Sequence, residues 1–179
     1  AGKLADAVKQ DLWDVAFLGN EPARANEIAF SDAYLEIPIT FLVPPGSPLK
    51  RIEDVDRDGV RVSVSEKSAY DLYLTRTLKR AKILRSAGIE LSFRAFVEQK
   101  LEALAGLKPR LVMDAEEFSG SRVLDGQISA VQQSIGTPRK RTAAAEYLRR
   151  FVQDVKAEGL VARLIQKHGV RGVTVAPQD

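Results

Sequence analysis

Residues 13–34 read WDVAFLGNEPARANEIAFSDAY. The run Trp13–Leu18 is apolar at every position but Asp14, the pattern of a buried strand. Asn20-Glu21-Pro22-Ala23-Arg24 then reads as a turn into a short helix, with Pro22 suited to its first turn. Upstream, Leu4, Ala7, Val8 and Leu12 recur at helical spacing and predict a helix over Lys3–Leu12. Downstream, a second strand is expected over Ile37–Val43. Helix and strand therefore alternate from the start.

The alternation continues. Val60–Val64 predicts a strand, and Ser68 a helix N-cap with Asp71 favourably placed in the first turn of a helix to about Arg80. Ile83–Arg85 reads as a short strand, Phe93–Glu98 as helix, Leu101–Leu107 as buried strand and Arg110–Glu117 as helix. Val123-Leu124 and Gln127–Ile135 read as strands. Pro138 is expected to start the last helical region, with Gly159 as a C′ glycine before a final helix, Leu160–His168. Strands alternating with helices define an α/β class built from βαβ units. Four of the eight prolines (Pro38, Pro44, Pro45, Pro48) fall within eleven residues. We read them as a crossing between two lobes.

Composition narrows the function. In 179 residues the chain has no cysteine and one histidine. Thiol nucleophiles, disulfides and thiolate metal sites are thereby excluded, as is any scheme needing two imidazoles. His168 sits where a cation favours a helix C-terminus, which explains it without catalysis. The formal charge is +3, with 27 basic and 24 acidic residues interleaved. No basic groove with interleaved aromatics emerges, so nucleic acid is not an expected partner. Arg139-Lys140-Arg141 reads as a solvated helix start. The acidic clusters Glu116-Glu117 and Asp54-Asp56-Asp58 read as solvated faces, and Trp13 and Tyr34 as core or cleft wall. No catalytic constellation, metal site or cofactor motif is expected.

Two features can carry recognition. Ser68 opens a helix directly after a strand, so its hydroxyl and the N–H groups of Ala69 and Tyr70 form an anion seat, with Lys67 adding positive charge. The plainer reading is a serine that caps its own helix. Arg24 presents a planar fork suited to a carboxylate; its plainer reading is a surface arginine.

These residues resemble the extracellular solute-binding proteins of ABC importers, family 3, the amino-acid-binding type. The resemblance rests on Trp13–Leu18, on Pro22-Ala23-Arg24 followed six residues later by Phe30-Ser31-Asp32-Ala33-Tyr34, on Val60–Val64 with Ser68-Ala69-Tyr70, and on Glu146 through Gly169. It implies a two-lobed clamp of the type II periplasmic-binding-protein kind, with lobe one at 1–43 plus 129–179 and lobe two at 44–128. It further implies a ligand set of Arg24, Gly19 and Asn20 facing Lys67, Ser68, Ala69 and Tyr70 over a cleft. A small carboxylate-bearing ligand, a membrane permease as partner, and a periplasmic or extracellular location follow from it.

The departures are specific. Gly19 stands where the family carries a serine or threonine, Lys67 where it carries a glycine, and Ala33 where it carries a proline. The family acid that pairs with a ligand ammonium falls on Leu107, so an anionic ligand is expected. The family's opening strand, helix and strand have no counterpart, so lobe one is expected to be incomplete: either the chain is a fragment or a shortened protein, or a second copy completes it, and a dimer is expected. Two other readings use the same fold: a ligand-sensing regulatory domain, and a small-carboxylate dehydratase with Glu66 or Glu21 as its acid or base.

Overall fold

The computed structural model describes residues 1–178. In chain order its elements are α1 (Gly2–Asp6), β1 (Ala16–Gly19), β2 (Ile28–Phe30), β3 (Leu35–Val43), β4 (Arg61–Ser65), α2 (Ala69–Thr77), β5 (Lys82–Ser86), α3 (Ile89–Glu98), β6 (Ala103–Leu107), α4 (Lys108–Glu117), β7 (Arg122–Val123), β8 (Ser129–Pro138), α5 (Thr142–Ala157), α6 (Leu160–Lys167) and β9 (Thr174–Val175). Short 3-10 turns occupy Ala7–Gln10, Pro22–Arg24 and Ile52–Asp54. The chain forms two units, one of residues 1–37 with those from Val131 onward, the other of residues 38–130. The divisions at 37/38 and 130/131 lie within β3 and β8, whereas the sequence suggested 43/44 and 128/129. Register explains the first: Leu35 and Glu36 pair with β9, but Ile39–Leu42 pair with β6.

In the first unit, β8 is paired antiparallel on both edges. Ala16–Gly19 of β1 match Gly136–Gln133 on one side, and Ile28–Phe30 of β2 match Pro138–Gly136 on the other. Alternation then sorts the side chains onto two faces. Val8, Ala16, Leu18 and Ile28 pack with Ala5, Trp13 and Phe30. Ile135 packs with Leu148 and Val152 of α5 and with Tyr34. Gly136 has no room for a side chain, since a Cβ there would lie 2.6 Å from Ile28.

The predicted helix over Lys3–Leu12 is shorter than expected. It relaxes into a 3-10 turn and ends at Asp11, which adopts a left-handed backbone (φ 57°). The Asp11 carboxylate meets Lys140 (2.7 Å) and Arg141, and Arg141 also pairs with Asp14. The cluster Arg139-Lys140-Arg141 therefore forms the turn that leads into α5, with Arg141 at its N-cap, and it is partly ion-paired. Pro138 ends β8, and α5 begins four residues later.

In the second unit the strand order is β3-β6-β4-β5. β4 runs parallel to both β5 and β6, and β3 runs antiparallel to β6. The crossovers α2 and α3 make this two βαβ steps. Its core joins Leu42, Phe93, Phe96, Leu101, Leu104 and Leu111, with Phe118 edge-on to Phe96 at 5.9 Å.

Asp54 and Asp56 are not the solvated face that the sequence suggested. Asp54 is buried and accepts the N–H groups of Lys50 and Arg51 at 3.0 Å, which hold its carboxyl below the ordinary value. Asp56 accepts from the N–H groups of Lys79, Arg80 and Ala81, tying the end of α2 to the start of β5. Burial acts to raise the Asp56 carboxyl, but those three donors outweigh it and its pKa is lowered.

Candidate functional site

In the second unit, β4 ends at Ser65 and a tight turn delivers α2. Lys67 takes a left-handed backbone (φ 56°), a conformation native to glycine. This accounts for the glycine that the resemblance places here. Ser68 is the N-cap: its Oγ accepts from the Asp71 N–H at 3.0 Å. Its own N–H donates to the Ser65 carbonyl (3.2 Å), and the Lys67 N–H donates to Asp71 Oδ2 (2.7 Å). Asp71 is in turn held by Arg85 Nε at 3.0 Å. The plain reading of Ser68 as a cap therefore describes its hydroxyl.

The anion reading concerns the backbone. No hydrogen-bond partner for the Ala69 and Tyr70 N–H groups is found among the described residues. Both donors lie in the first turn of a nine-residue helix, where the dipole favours negative charge. Tyr70 is buried, and that burial pushes its phenol above the ordinary value against hydrogen bonds to Ser68 and Ser65. Leu107, which falls where the family carries an acid, closes β6 half-buried.

In the first unit, Pro22 does sit in the first turn of a short helix, a 3-10 turn that ends at Arg24. Arg24 is buried, at 6% exposure, contrary to a surface arginine. Its Nη1 donates to the Gly19 carbonyl at 2.8 Å. Burial lowers the pKa of this guanidinium, and the Glu21 and Asp6 carboxylates act in the other direction. Asn20 anchors the turn through its N–H to the Gln132 carbonyl (2.8 Å). Gly19, Asn20 and Arg24 thus share one turn in the first unit, and Lys67, Ser68, Ala69 and Tyr70 share another in the second.

Two features escaped the sequence reading. A trough of about 630 Å³ in the first unit is lined by Asn20, Ala25, Ile28–Phe30, Arg139 and one flank of α5. In the second unit Asp114 is buried beside Tyr70, its carboxyl raised by desolvation and restrained by Arg110 Nε at 2.7 Å. The Asp114–Arg110 spacing of four on α4 was the available signal. The trough gave none, because it depends on β2, a three-residue strand that the pattern does not announce. Among the described residues no cluster of histidine, cysteine and carboxylates fits a metal, and no helix is long and apolar enough to cross a membrane.

The fold is that of the type II periplasmic binding proteins. The profile of bacterial extracellular solute-binding proteins, family 3, matches residues 2–171, and this chain belongs to that family. No curated protein matches it. Among solved structures it is similar to the solute receptor for L-cysteine of Neisseria gonorrhoeae, at TM-score 0.79 and 18% identity, over 93% of this chain and 68% of that one. It is similar to a periplasmic binding protein of Salmonella typhimurium with high arginine specificity, at TM-score 0.77 and 14% identity, over 93% and 76%. It also resembles an ancestral amino acid-binding protein, a precursor of cyclohexadienyl dehydratase, at TM-score 0.75 and 18% identity, over 93% and 73%.

Proposed function

We propose that this chain is the solute-binding component of an ABC-type importer, acting in the periplasm or outside the cell. It takes up a small carboxylate-bearing or amino-acid-like solute, passes it to a membrane permease and performs no chemistry on it. The observation that carries this reading is the pair of unbonded N–H groups at Ala69 and Tyr70, set at a helix start directly after β4. Such donors hold a carboxylate without a change in their own geometry. In the first unit, Arg24 presents a guanidinium fork of the kind that holds a carboxylate. Gly19, Asn20, Lys67 and Ser68 shape the two turns.

An apolar residue at 107 favours ligands without an exposed ammonium, since burying an unpaired one costs several kcal/mol. Isothermal calorimetry against a panel of organic acids and amino acids tests this. Micromolar binding of a dicarboxylate or a neutral carboxylate supports it, and tight binding of arginine overturns it. Incubation with each binder and recovery of the unchanged compound checks that no turnover occurs.

The proposal keeps a second copy as partner. Among the described residues β1 pairs with β8 alone; Phe17 stands 60% exposed on it and Val15, just before it, 47%. An open edge with apolar side chains favours strand-to-strand association. A dimer in native mass spectrometry that Phe17→Lys dissociates supports it; a monomer at all concentrations removes it.

A further inference from the structure

We propose that the trough between β2 and α5 in the first unit is a docking groove for an acidic, extended peptide segment of a partner protein. This does not depend on the solute reading. The trough combines an apolar wall, including Ala29, Phe30 and Ala145, with the cations Arg139 and Arg149. What distinguishes it is the state of those charges. Around it, Lys140 and Arg141 are engaged by Asp11 and Asp14. Glu146, the one carboxylate on the lining, is paired with Arg150.

Arg139 and Arg149 have no carboxylate among the described residues. Arg139 is fixed in place, its Nη1 donating to the Ala25 carbonyl at 2.7 Å. The Arg149 side chain makes no hydrogen bond or ion pair among the described residues. Two guanidiniums thus border a volume of about 630 Å³ with no counter-charge of their own.

Arg139 precedes α5, and Arg149 lies seven residues beyond its first residue, Thr142, so the two cations belong to different points along the lining of the trough. An extended chain advances about 3.3 Å per residue and can present carboxylates at more than one such point. Apolar residues between them meet the wall formed by Ala29, Phe30 and Ala145. Charge complementarity of this kind steers association and sets register.

The test uses a fluorescein-labelled peptide of valine and serine carrying two glutamates three residues apart, followed by anisotropy at low salt. The full chain binds it, and Arg149→Glu weakens binding by about ten-fold. Arg94→Glu, the same charge change on the second unit, leaves the affinity unaltered. A lysine version of the peptide binds Arg149→Glu better than it binds the unaltered chain. Four results overturn the proposal: no binding to the unaltered chain, equal weakening by Arg94→Glu, displacement of the peptide by glutarate at the peptide's own concentration, or a dimer of the chain that Arg149→Glu dissociates.

Discussion

Replacing Ala69 with proline separates the anion seat from the helix that carries it. Ala69 is the first residue of α2, where a proline's missing N–H breaks no intrahelical bond and its fixed φ suits the helix. The residue before it must be extended, and Ser68 already is, at φ −70° and ψ 163°. The Ser68 cap, Oγ to the Asp71 N–H, is untouched. Any stability change should therefore come from the added ring carbons at this buried position, about 1–3 kcal/mol of overpacking at most. The solute loses one donor aimed at a charged group, worth about 1.5–3 kcal/mol. At about 1.4 kcal/mol per decade, affinity falls roughly ten- to hundred-fold. Calorimetry with the best carboxylate binder, beside a denaturant melt, reads both quantities. Ser68→Ala supplies the opposite pattern: the lost cap costs about 1 kcal/mol of stability, while both N–H donors remain. Unchanged affinity in Ala69→Pro, with the fold intact, refutes the assignment of the helix start as the solute's seat.

Four further outcomes follow from the structure. Lys67→Gly relieves a left-handed backbone at a residue with a Cβ, and urea unfolding should show a gain of up to about 1 kcal/mol. Gly136→Ala drives a Cβ to 2.6 Å from Ile28, and the same measurement should show a loss of about 1–3 kcal/mol from overpacking. Asp56→Ala strands the N–H groups of Lys79, Arg80 and Ala81 and should cost about 1–3 kcal/mol. Because the folded pKa of Asp56 lies below its ordinary 3.8, its contribution is complete above that value and is lost as pH falls through the folded pKa; acid melts of Asp56→Ala should lack this component below about pH 4.

Most elements were legible because their signals are local. Strand β4, the Ser68 cap and the Gly159 turn, whose φ is 70°, each depend on a few adjacent residues. The failures share another cause. Pro138 looks like a helix start in sequence, but it ends β8. The ladder explains why this is tolerated. The Arg139 N–H donates to the Glu27 carbonyl and the Ser31 N–H to the Ile135 carbonyl, so odd-numbered residues of β8 bond to β2. The nitrogen of Pro138 therefore faces the β1 side, and β1 begins only at Ala16, opposite Gly136. The missing donor falls beyond the end of its neighbour, where no ladder bond is lost. No window of sequence contains that fact, since it belongs to the pairing of strands more than a hundred residues apart. Asp56 misled for the same reason, since its donors come from residues 79–81; those of Asp54 are local, at Lys50 and Arg51.

The local geometry of the two candidate turns was legible in kind but not in detail, and Ser68 shows where the line falls. Cap and anion seat were posed as alternatives, yet they draw on different atoms. The hydroxyl is committed to the Asp71 N–H, and the Lys67 N–H is taken by the Asp71 carboxylate. A capping serine thus satisfies the third donor of the helix and leaves the first two open. A capped start is also more rigid, so the two remaining N–H groups are better fixed for a carboxylate than in an uncapped helix, where they would fray. The same logic reaches Arg24. Arg24 is buried and donates to the Gly19 carbonyl, and a group already desolvated loses little further hydration on meeting an anion. Capping, read from sequence as a rival to binding, and burial, where a surface arginine was expected, both lower the cost of holding an anion at these two turns.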